Sequence, residues 1–500
     1  MGKPVGSLST PEKPSLEPIM SEWTFAGHAW LDSLWWIWTL SSVVLTTWVI
    51  MQRRSPVSTL AWIMVLNLLP VIGLAVYAYF GPQRVKRQRL RRWHHRAALM
   101  SQEDLRTLRQ GRSAPPVWAT QHATLIEQSC GLQLTSCHEV QLLASGGATL
   151  DALLAEIAAA RQHIHLEYYI YEPDTTGQAV LRALTAKARE GVRVRLLVDA
   201  IGSPEICSRK GRRHLAEYLA AGGQFCIFHP RRLDRLRPLV NLRTHRKIVV
   251  IDGMVGMLGG INITDDENER VRPHDAYRDT HLLLRGGAVR WLQYLFLQDW
   301  GYAGGGQVHD VDIVPPDQPG TVPVQIVASG PDSDSEAIHR AMIDAIHMAR
   351  ERIWLATPYF VPTEAALMAL TNAALRGVSV KLMVPEKSDS RVVTAAARSY
   401  FDELQAAGVL VFEYRGRMFH AKTLLVDQDY GMVGSANFDN RSFRLNFEVA
   451  AAVFGREFNR ELAAMFERDL SQCKRVEAGY RPAPPQRLFE ALARLASPLL

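Results

Sequence analysis

The sequence predicts an α/β protein in which two tandem α/β sandwich halves form one pseudo-two-fold catalytic unit, preceded by an N-terminal transmembrane helix pair. Three observations lead to this expectation. A short phrase of chemically reactive residues occurs twice, strand-like segments alternate with amphipathic helices, and two long uncharged stretches lie near the N-terminus. Alternating strands and helices are typical of α/β folds, and an uncharged stretch of about 18 residues or more indicates a membrane span.

The two apolar stretches predict a helical hairpin in a membrane. Residues 33–51 and 57–80 contain no charged side chain. At about 1.5 Å per residue, helices over these stretches would reach about 28 and 36 Å, which matches a hydrocarbon core of about 30 Å. Seven of the twelve tryptophans lie within the first 62 residues, as an aromatic belt requires. The alternatives are a re-entrant second segment, because Pro70 interrupts it, and a buried hairpin in a soluble core.

The charge of +7 is concentrated in one run beside the second stretch. Seven cations and no acid lie from Arg84 to Arg96, which leaves 50 basic against 50 acidic residues elsewhere. Positively charged residues next to a membrane span usually lie on its cytoplasmic side. Because this run follows the second stretch, the catalytic part is expected in the cytoplasm. The balanced remainder argues against a nucleic-acid partner. We assign residues 1–32 to a polar tail and 81–117 to this basic juxtamembrane segment and a linker.

Two similar stretches divide the remainder of the chain. Residues 183–198 and 369–384 each read as an amphipathic helix, a glycine stop and an alternating strand. A proline-rich piece separates them. The predicted boundaries are a first half over 118–314, a linker over 315–323, a second half over 324–485 and a C-terminal amphipathic segment over 486–500.

The C-terminal segment carries a leucine stripe at helical spacing. Its members are Leu488, Leu492, Leu495 and Leu499, although Pro498 is expected to end the helix before the last of them. Such a stripe either lies on the membrane or packs on its own protein.

The repeated phrase has the form His-x-Lys-x4-Asp in both halves. The first copy runs from His245 to Asp252 and the second from His420 to Asp427. In each copy an asparagine, Asn262 or Asn437, follows the histidine by 17 residues within Gly-x-x-Asn. One copy supplies a single histidine, whereas exchange of a phosphodiester needs two. The duplication therefore indicates one site built from both copies.

The parity of the phrase separates its members. On a strand, His245 and Lys247 point to one face and Asp252 to the other. Asp-Gly is also a strong hairpin signal. We therefore expect the histidine and the lysine to meet the substrate and the aspartate to fix the turn. The second copy has the same parity at His420, Lys422 and Asp427.

These residue types suit a phosphodiester, which is an anion with a poor leaving group. One histidine can attack phosphorus to give a phosphohistidine, while the other protonates the departing alkoxide and then deprotonates the incoming hydroxyl. Positive charge and amide donors stabilise the non-bridging oxygens, so no metal is required. The candidate phosphate-binding residues are Lys247, Asn262, Lys422 and Asn437. The candidate histidine-orienting acids are Asp279 and Glu448. The residues alone leave open which histidine is the nucleophile.

The paired motifs resemble the phospholipase D superfamily, whose hallmark is two such phrases meeting at one site. The wider sequence is similar to the bacterial cardiolipin synthases, through segments such as Pro358-Tyr-Phe-Val-Pro362 and Gly434-Ser-Ala-Asn-Phe-Asp-Asn-Arg-Ser-Phe443. The resemblance implies two phospholipase D-like halves with His245 as nucleophile and His420 as general acid and base. The catalytic set that it carries over is His245, Lys247, Asp252, His420, Lys422 and Asp427.

The same resemblance implies a reaction at the inner membrane of a bacterial cell. A phosphatidyl group would pass from one phosphatidylglycerol to another, giving cardiolipin and glycerol, without a cofactor. The expected partners are these two lipids and the bilayer, and no oligomeric state follows. A nuclease of the same superfamily, a phospholipase or serine-type phosphatidyltransferase, and an inactive membrane scaffold are the alternatives. The charge balance opposes the first, and the intact pairs of His, Lys and Asn oppose the last.

Overall fold

The computed structural model describes residues 35–52, 56–69, 112–229, 243–306, 320–333, 335–480 and 482–497, together with residues 2, 73, 77 and 308. The chain divides into two compact units, Met1–Arg84 and Val85–Leu500. The tail before residue 35, the basic run from Arg84 to Arg96 and the linker over 315–319 lie outside the described residues, apart from residue 2.

The N-terminal unit contains two apolar helices, α1 over residues 35–50 and α2 over Pro56–Leu68. Val49 and Leu66 pack with Tyr77 in a small buried cluster, and Asn67 Nδ2 donates to Thr46 Oγ1 at 3.2 Å. Within the described ranges, no helix combines the length and the hydropathy that a membrane crossing needs. Parts of both predicted spans, including 70–72 and 78–80, lie outside those ranges.

The described strands of the second unit join in one mixed sheet of 16 strands, while β11 and β16 form a separate parallel pair. The strands of the first half are β1 Thr135–Leu143, β2 His163–Tyr168, β3 Arg193–Asp199, β4 Gln224–Phe228, β5 Arg243–Thr244, β6 Ile248–Ile251, β7 Val255–Gly259 and β8 His281–Gly286. Those of the second half are β9 Val322–Ser329, β10 Arg352–Ala356, β11 Phe360–Val361, β12 Ser379–Pro385, β13 Leu410–Tyr414, β14 Thr423–Val426, β15 Tyr430–Gly434, β16 Phe438–Asp439, β17 Asn446–Phe454 and β18 Cys473–Arg475.

The α-helices of this unit cover both faces of the sheet. In the first half they are α3 Thr120–Cys130, α4 Gly146–Ala159, α5 Thr175–Arg189, α6 Pro204–Cys207, α7 Ala216–Ala220 and α8 Ala288–Tyr302. In the second half they are α9 Ala337–Met348, α10 Glu364–Leu375, α11 Arg391–Arg398, α12 Phe401–Ala406, α13 Asn440–Arg444, α14 Arg456–Leu470 and α15 Pro484–Leu495.

The sheet repeats its topology on either side of a central antiparallel pair, β1 and β9. From β1 outwards the order is β8, β7, β6, β2, β3 and β4, and from β9 it is β17, β15, β14, β10, β12 and β13. In both directions the last three of these strands are parallel and the other pairings antiparallel. On the second side β18 adds one further, antiparallel strand beyond β13. The prediction of two tandem α/β halves is confirmed, but their strands run through one continuous sheet.

Alternation along the strands explains why this sheet is buried on both faces. In β6, Ile248 and Val250 face a core that contains α8 and α14, whereas Val249 and Ile251 face the core under α4 and α5. A strand buried on both sides reads as a continuous apolar run, as Ile-Val-Val-Ile does. The core under α8 and α14 includes strands of both halves, so the halves share it.

The predicted glycine stops are confirmed at the helix–strand junctions. Helix α5 ends at Arg189, and Gly191 then takes a φ of +88° before β3 begins. In the second half Gly377 takes a φ of +91° between α10 and β12. A residue with a Cβ is strained in this left-handed conformation, so glycine is suited to both turns.

The C-terminal leucine stripe is exposed in the structure. On α15, Leu488, Leu492 and Leu495 are 62%, 56% and 77% exposed, whereas Ala493 is buried. Ala493 packs with residues of α11 and with Val361. The alternative that this stripe packs on its own protein is therefore wrong for the three described leucines; Leu499 lies outside the described residues.

Candidate active site

The first catalytic phrase is held by the second half of the chain. Strand β5, immediately before His245, pairs in parallel with the start of β17. The backbone amide of His245 donates to the carbonyl oxygen of Phe447 at 2.8 Å. This pairing places the side chain of the next residue on β17, Glu448, beside the imidazole of His245.

The second phrase is held by the first half in the same manner. Arg278, just before β8, bridges to Phe419. The backbone amide of His420 donates to the Arg278 carbonyl at 2.8 Å. The side chain of Asp279 is thereby brought to His420. The contacts are therefore crosswise: each half supplies the carboxylate that lies beside the histidine of the other half.

The crosswise pairing gives each imidazole one carboxylate. His245 Nδ1 lies 3.1 Å from Glu448 Oε2, and His420 Nδ1 lies 2.6 Å from Asp279 Oδ2. Both carboxylates are fully buried. A carboxylate acceptor at Nδ1 fixes the tautomer that leaves Nε2 free for chemistry.

The two carboxylates are supported by different neighbours. Glu448 accepts hydrogen bonds from the hydroxyl of Ser435 and from Asn446 Nδ2. In the first half, Gly260 occupies the position that corresponds to Ser435. A Cβ on Gly260 would lie 2.3 Å from an oxygen of Asp279, so the shorter acid approaches only because this residue is glycine.

The motif lysines lie under the histidines. Lys247 Nζ donates to the His245 carbonyl at 2.9 Å, and Lys422 Nζ donates to Asp279 Oδ2 at 3.1 Å. Burial, together with the nearby charge of Lys422, lowers the pKa of Lys247 to about 8. Lys422 keeps a buried carboxylate beside its ammonium group, whereas Lys247 Nζ is 5.4 Å from the ring centre of Tyr169.

Burial and the lysines also act on the histidines. Burial, followed by Lys422, lowers the pKa of His420, and burial lowers the pKa of His245, with Lys247 adding to the effect. The carboxylates of Asp279 and Glu448 act in the opposite direction and raise the pKa values of His420 and His245, respectively. Burial by itself raises the pKa of Glu448, but His245 holds it below its ordinary value. The lowered pKa values of both histidines favour the neutral imidazole, which is the form that attacks or accepts a proton.

The two asparagines sit in different surroundings. Asn262 is clamped by Glu267, whose carboxylate accepts from its Nδ2 at 2.6 Å and from its backbone amide at 2.9 Å. At the equivalent offset from Asn437 the chain has Ser442, whose hydroxyl accepts from the Asn437 amide at 3.1 Å. Glu267 was missed at the sequence level, where only the repeated residues were singled out. Glu267 follows Asn262 at the same spacing at which Ser442 follows Asn437, and this equal spacing was the signal available in the sequence.

One cavity of about 720 Å³ receives both phrases. The residues that line it include both histidines and both asparagines, whereas Lys247 and Lys422 are buried and are not among the described lining residues. Further polar and aromatic lining residues that the sequence did not single out are Tyr169, Glu172, Arg243, Asp266, Tyr277, Tyr359, Asp389 and Asp439. Arg441 also lines it.

The motif aspartates lie apart from this cavity. Asp252 takes a φ of +52° after β6, and its carboxylate accepts from three backbone amides, those of residues 161–163, at 2.7–2.9 Å. Asp427 does the same for residues 350–352 at 2.8–3.2 Å. Among the described cavity-lining residues neither appears. The carboxylates of Asp252 and Asp427 tie turns to the neighbouring strand starts, which favours the predicted turn role over the catalytic role that the resemblance implies.

Asp252→Ala is accordingly expected to cost stability and not chemistry. Loss of a charged acceptor from three amides, in a left-handed turn that alanine disfavours, should lower the free energy of unfolding by about 1–3 kcal/mol. Thermal unfolding measures this, and Asp252→Asn, which tolerates the turn, should lose less. A folded Asp252→Ala protein whose specific activity fell more than about tenfold would contradict a turn role.

One group of side chains has the donor set of a cation site. Glu267, Asp279 and His420 each offer an atom within 4.8 Å of the others. The Lys422 ammonium already lies 3.1 Å from Asp279 and 2.8 Å from His420 Nδ1. Positive charge is thus supplied there by the protein, and a metal ion would be placed against it.

Comparison with known proteins gives three findings. A family model described as cardiolipin synthase, PLD-like domain, matches residues 153–276 and 342–470, and a phospholipase D-nuclease N-terminal model matches residues 34–82. The cardiolipin synthase of Geobacillus kaustophilus is 38% identical over 464 residues, 90% of each chain. Cardiolipin synthase 2 of Bacillus cereus is 37% identical over 479 residues, 92% of this chain and 90% of that protein. The solved phosphatidylserine synthase of Haemophilus influenzae, at 14% identity, has a TM-score of 0.57 and covers 76% of this chain and 100% of its own, which shows the fold alone.

Proposed function

Because the chain belongs to the cardiolipin synthase family of phospholipase D-like enzymes, we propose that it transfers a phosphatidyl group from one phosphatidylglycerol to another. The products are cardiolipin and glycerol. The observation that carries the proposal is that both motif histidines line a single cavity, each with its own carboxylate. One site with two imidazoles suits an exchange in which one phosphodiester replaces another.

In the first step, His245 Nε2 attacks phosphorus while the bond from phosphorus to the glycerol oxygen breaks. The imidazole of His420 gives its proton to that oxygen, and glycerol leaves. The product is a phosphatidyl-histidine on His245. Lys247 and Lys422 supply positive charge near the phosphoryl oxygens, and Asn262 and Asn437 supply amide donors.

In the second step, His420 takes the proton from the terminal hydroxyl of an acceptor phosphatidylglycerol. The hydroxyl oxygen forms its bond to phosphorus as the phosphorus–nitrogen bond breaks, which releases cardiolipin and restores His245. Water would compete as an acceptor, so the partly enclosed cavity favours transfer over hydrolysis.

The surroundings of the two histidines support this division of roles. His420 has the carboxylates of Asp279 and Glu267 nearby, and both raise its pKa against burial. His245 has Glu448 on one side and the charges of Lys247 and Lys422 around it. Glu267 thus offers His420 a second carboxylate that can stabilise a proton on it, where the second half has Ser442 at the equivalent position, and this suits His420 as the acid and His245 as the nucleophile.

The low pKa of Lys247 predicts an alkaline limb in kcat/KM. The ammonium is charged below about pH 8 and loses its charge above it, so activity should fall as the pH rises through that value. Lys247→Arg should move the alkaline limb to higher pH, because a guanidinium keeps its proton up to about pH 12. A pH–rate profile measures both, and a limb that stays in place in the variant would contradict this origin.

We further infer a multi-pass anchor in the bacterial inner membrane, with the catalytic unit in the cytoplasm. The family match over residues 34–82, the exposed apolar side chains of α1 and the basic run after the second uncharged stretch support this. A reporter fused to the C-terminus should resist protease in intact spheroplasts. Digestion of that reporter would place the catalytic unit outside.

The proposed function is tested with the purified full chain in vesicles of labelled phosphatidylglycerol. Mass spectrometry should detect cardiolipin and an equal amount of glycerol, with a chelator present. Phosphatidic acid alone, or no product from folded protein, would sink the proposal. Addition of labelled phosphatidylethanolamine in a parallel sample shows whether it also serves as donor.

A further inference from the structure

Two arginines on one side of the cavity have unused hydrogen-bond donors. Arg243 Nη1 donates to the Tyr169 hydroxyl at 3.0 Å. Its Nε, and the Nε and Nη2 of Arg441, are buried and have no hydrogen-bond partner in the described part of the chain. Both side chains line the cavity. Both side chains are half-buried, and guanidinium groups with buried donors that lack a partner favour an anion.

The nearby carboxylates are engaged elsewhere. Asp439 accepts from the Ser442 backbone amide at 2.6 Å. Asp199 accepts from the backbone amides of Ile201, Gly202 and Thr244 at 2.8–3.1 Å. Among the ion pairs of the described residues, neither acid reaches Arg243 or Arg441 within 4.0 Å. The positive charge of the pair is thus not cancelled by direct contact.

Arg243 stands one aromatic side chain away from the proposed nucleophile. The ring centre of Tyr169 is 4.8 Å from that of His245, and the hydroxyl of the same tyrosine holds Arg243. A phosphate beside the arginines would therefore lie near, but not on, the phosphorus bound to His245. In phosphatidylglycerol the attacking hydroxyl is separated from its own phosphate by the three carbons of glycerol, so its phosphate must likewise lie near, but not on, the reacting phosphorus.

The acids Glu172, Asp266 and Asp389 also line the cavity and would repel an anion placed beside them. Burial and the neighbouring acids raise the pKa of Glu172 to about 7. A second phosphate is therefore favoured beside the arginines and not beside these acids.

We propose that Arg243 and Arg441 form a second phosphate subsite, which binds the phosphodiester of the acceptor phospholipid while its terminal hydroxyl reaches the phosphorus on His245. The inference rests on the proposed function and extends it to the choice of acceptor. Water and small neutral alcohols have no phosphate, so they react without using the subsite. The subsite therefore favours transfer to a phospholipid over hydrolysis.

The test compares two acceptors for one phosphoenzyme. Vesicles of labelled phosphatidylglycerol with ethanol give cardiolipin and phosphatidylethanol, and the ratio of the two products depends only on the second step. In Arg243→Gln and Arg441→Gln the ratio should fall about tenfold or more, as loss of a charge-assisted contact implies. Arg441→Lys should keep part of it. Arg444→Gln is the matched control, because Arg444 lies three residues later on α13, is 53% exposed and pairs with Glu336.

The outcomes separate the two proposals. An unchanged product ratio in both folded glutamine variants overturns the subsite and leaves the proposed function standing. An equal fall of both products also overturns it, since the arginines would then serve the first step. Wild-type protein that makes phosphatidylethanol but no cardiolipin overturns the proposed function and the subsite with it. Should Arg243→Gln fail to fold, Arg441→Gln against Arg441→Lys decides.

Discussion

Replacement of His245 by alanine is expected to abolish the phosphoenzyme and to lower cardiolipin formation by about four orders of magnitude or more, as loss of a covalent nucleophile does in other enzymes. Without Nε2 at this position no bond to phosphorus can form in the first step. The measurement is an alkaline quench, under which a phosphohistidine survives, after a short incubation with phosphorus-labelled phosphatidylglycerol. Labelled protein should be present in wild type and absent in the variant.

The His245→Ala experiment has a matched control variant, and one of its outcomes would contradict the assigned roles of the two histidines. His347→Ala removes an exposed histidine at the end of α9 and should leave labelling and turnover unchanged. Labelling that persists in His245→Ala but disappears in His420→Ala would reverse the two roles. The lysine and asparagine assignments would survive that reversal, because they belong to both phrases.

Much of the fold followed from local patterns. The glycine stops at Gly191 and Gly377 and the Asp-Gly turn after β6 depend on backbone conformations that few residues accept, so they can be read from the sequence. The continuity of the sheet could not be predicted, because the contact between β1 and β9 joins residues nearly 200 positions apart and has no local signal.

The residues of the site could likewise be predicted only in part. His245 and His420 were found because their phrase is repeated, and Asp279 and Glu448 because they stand at comparable places. Which acid meets which histidine depends on the crosswise pairing of the strands, and symmetry made both arrangements equal in the sequence. Glu267 breaks the symmetry, so a search for repeated residues passed over it.

The crosswise pairing yields the second large prediction. Asp279→Asn should reproduce the loss of His420, although it lies in the other half of the chain, because it contacts His420 Nδ1 at 2.6 Å. Glu448→Gln should reproduce the loss of His245 in the same way. An amide in place of an orienting carboxylate disturbs the imidazole tautomer, which costs about four orders of magnitude in kcat in the best-known case.

A donor with a better leaving group separates the variants that impair the general acid from those that impair the nucleophile. A phosphatidyl ester of nitrophenol releases a phenolate that needs no proton, so the first step no longer depends on a general acid. With this donor, His420→Ala and Asp279→Asn should both show a burst of phenolate and accumulate phosphoenzyme, because the base for the second step is missing. His245→Ala should show no burst, and Glu448→Gln only a slow one. Stopped-flow absorbance measures the burst. If Glu448→Gln were rescued and Asp279→Asn were not, each acid would serve the histidine of its own half, and the crosswise contacts would not be those used in catalysis.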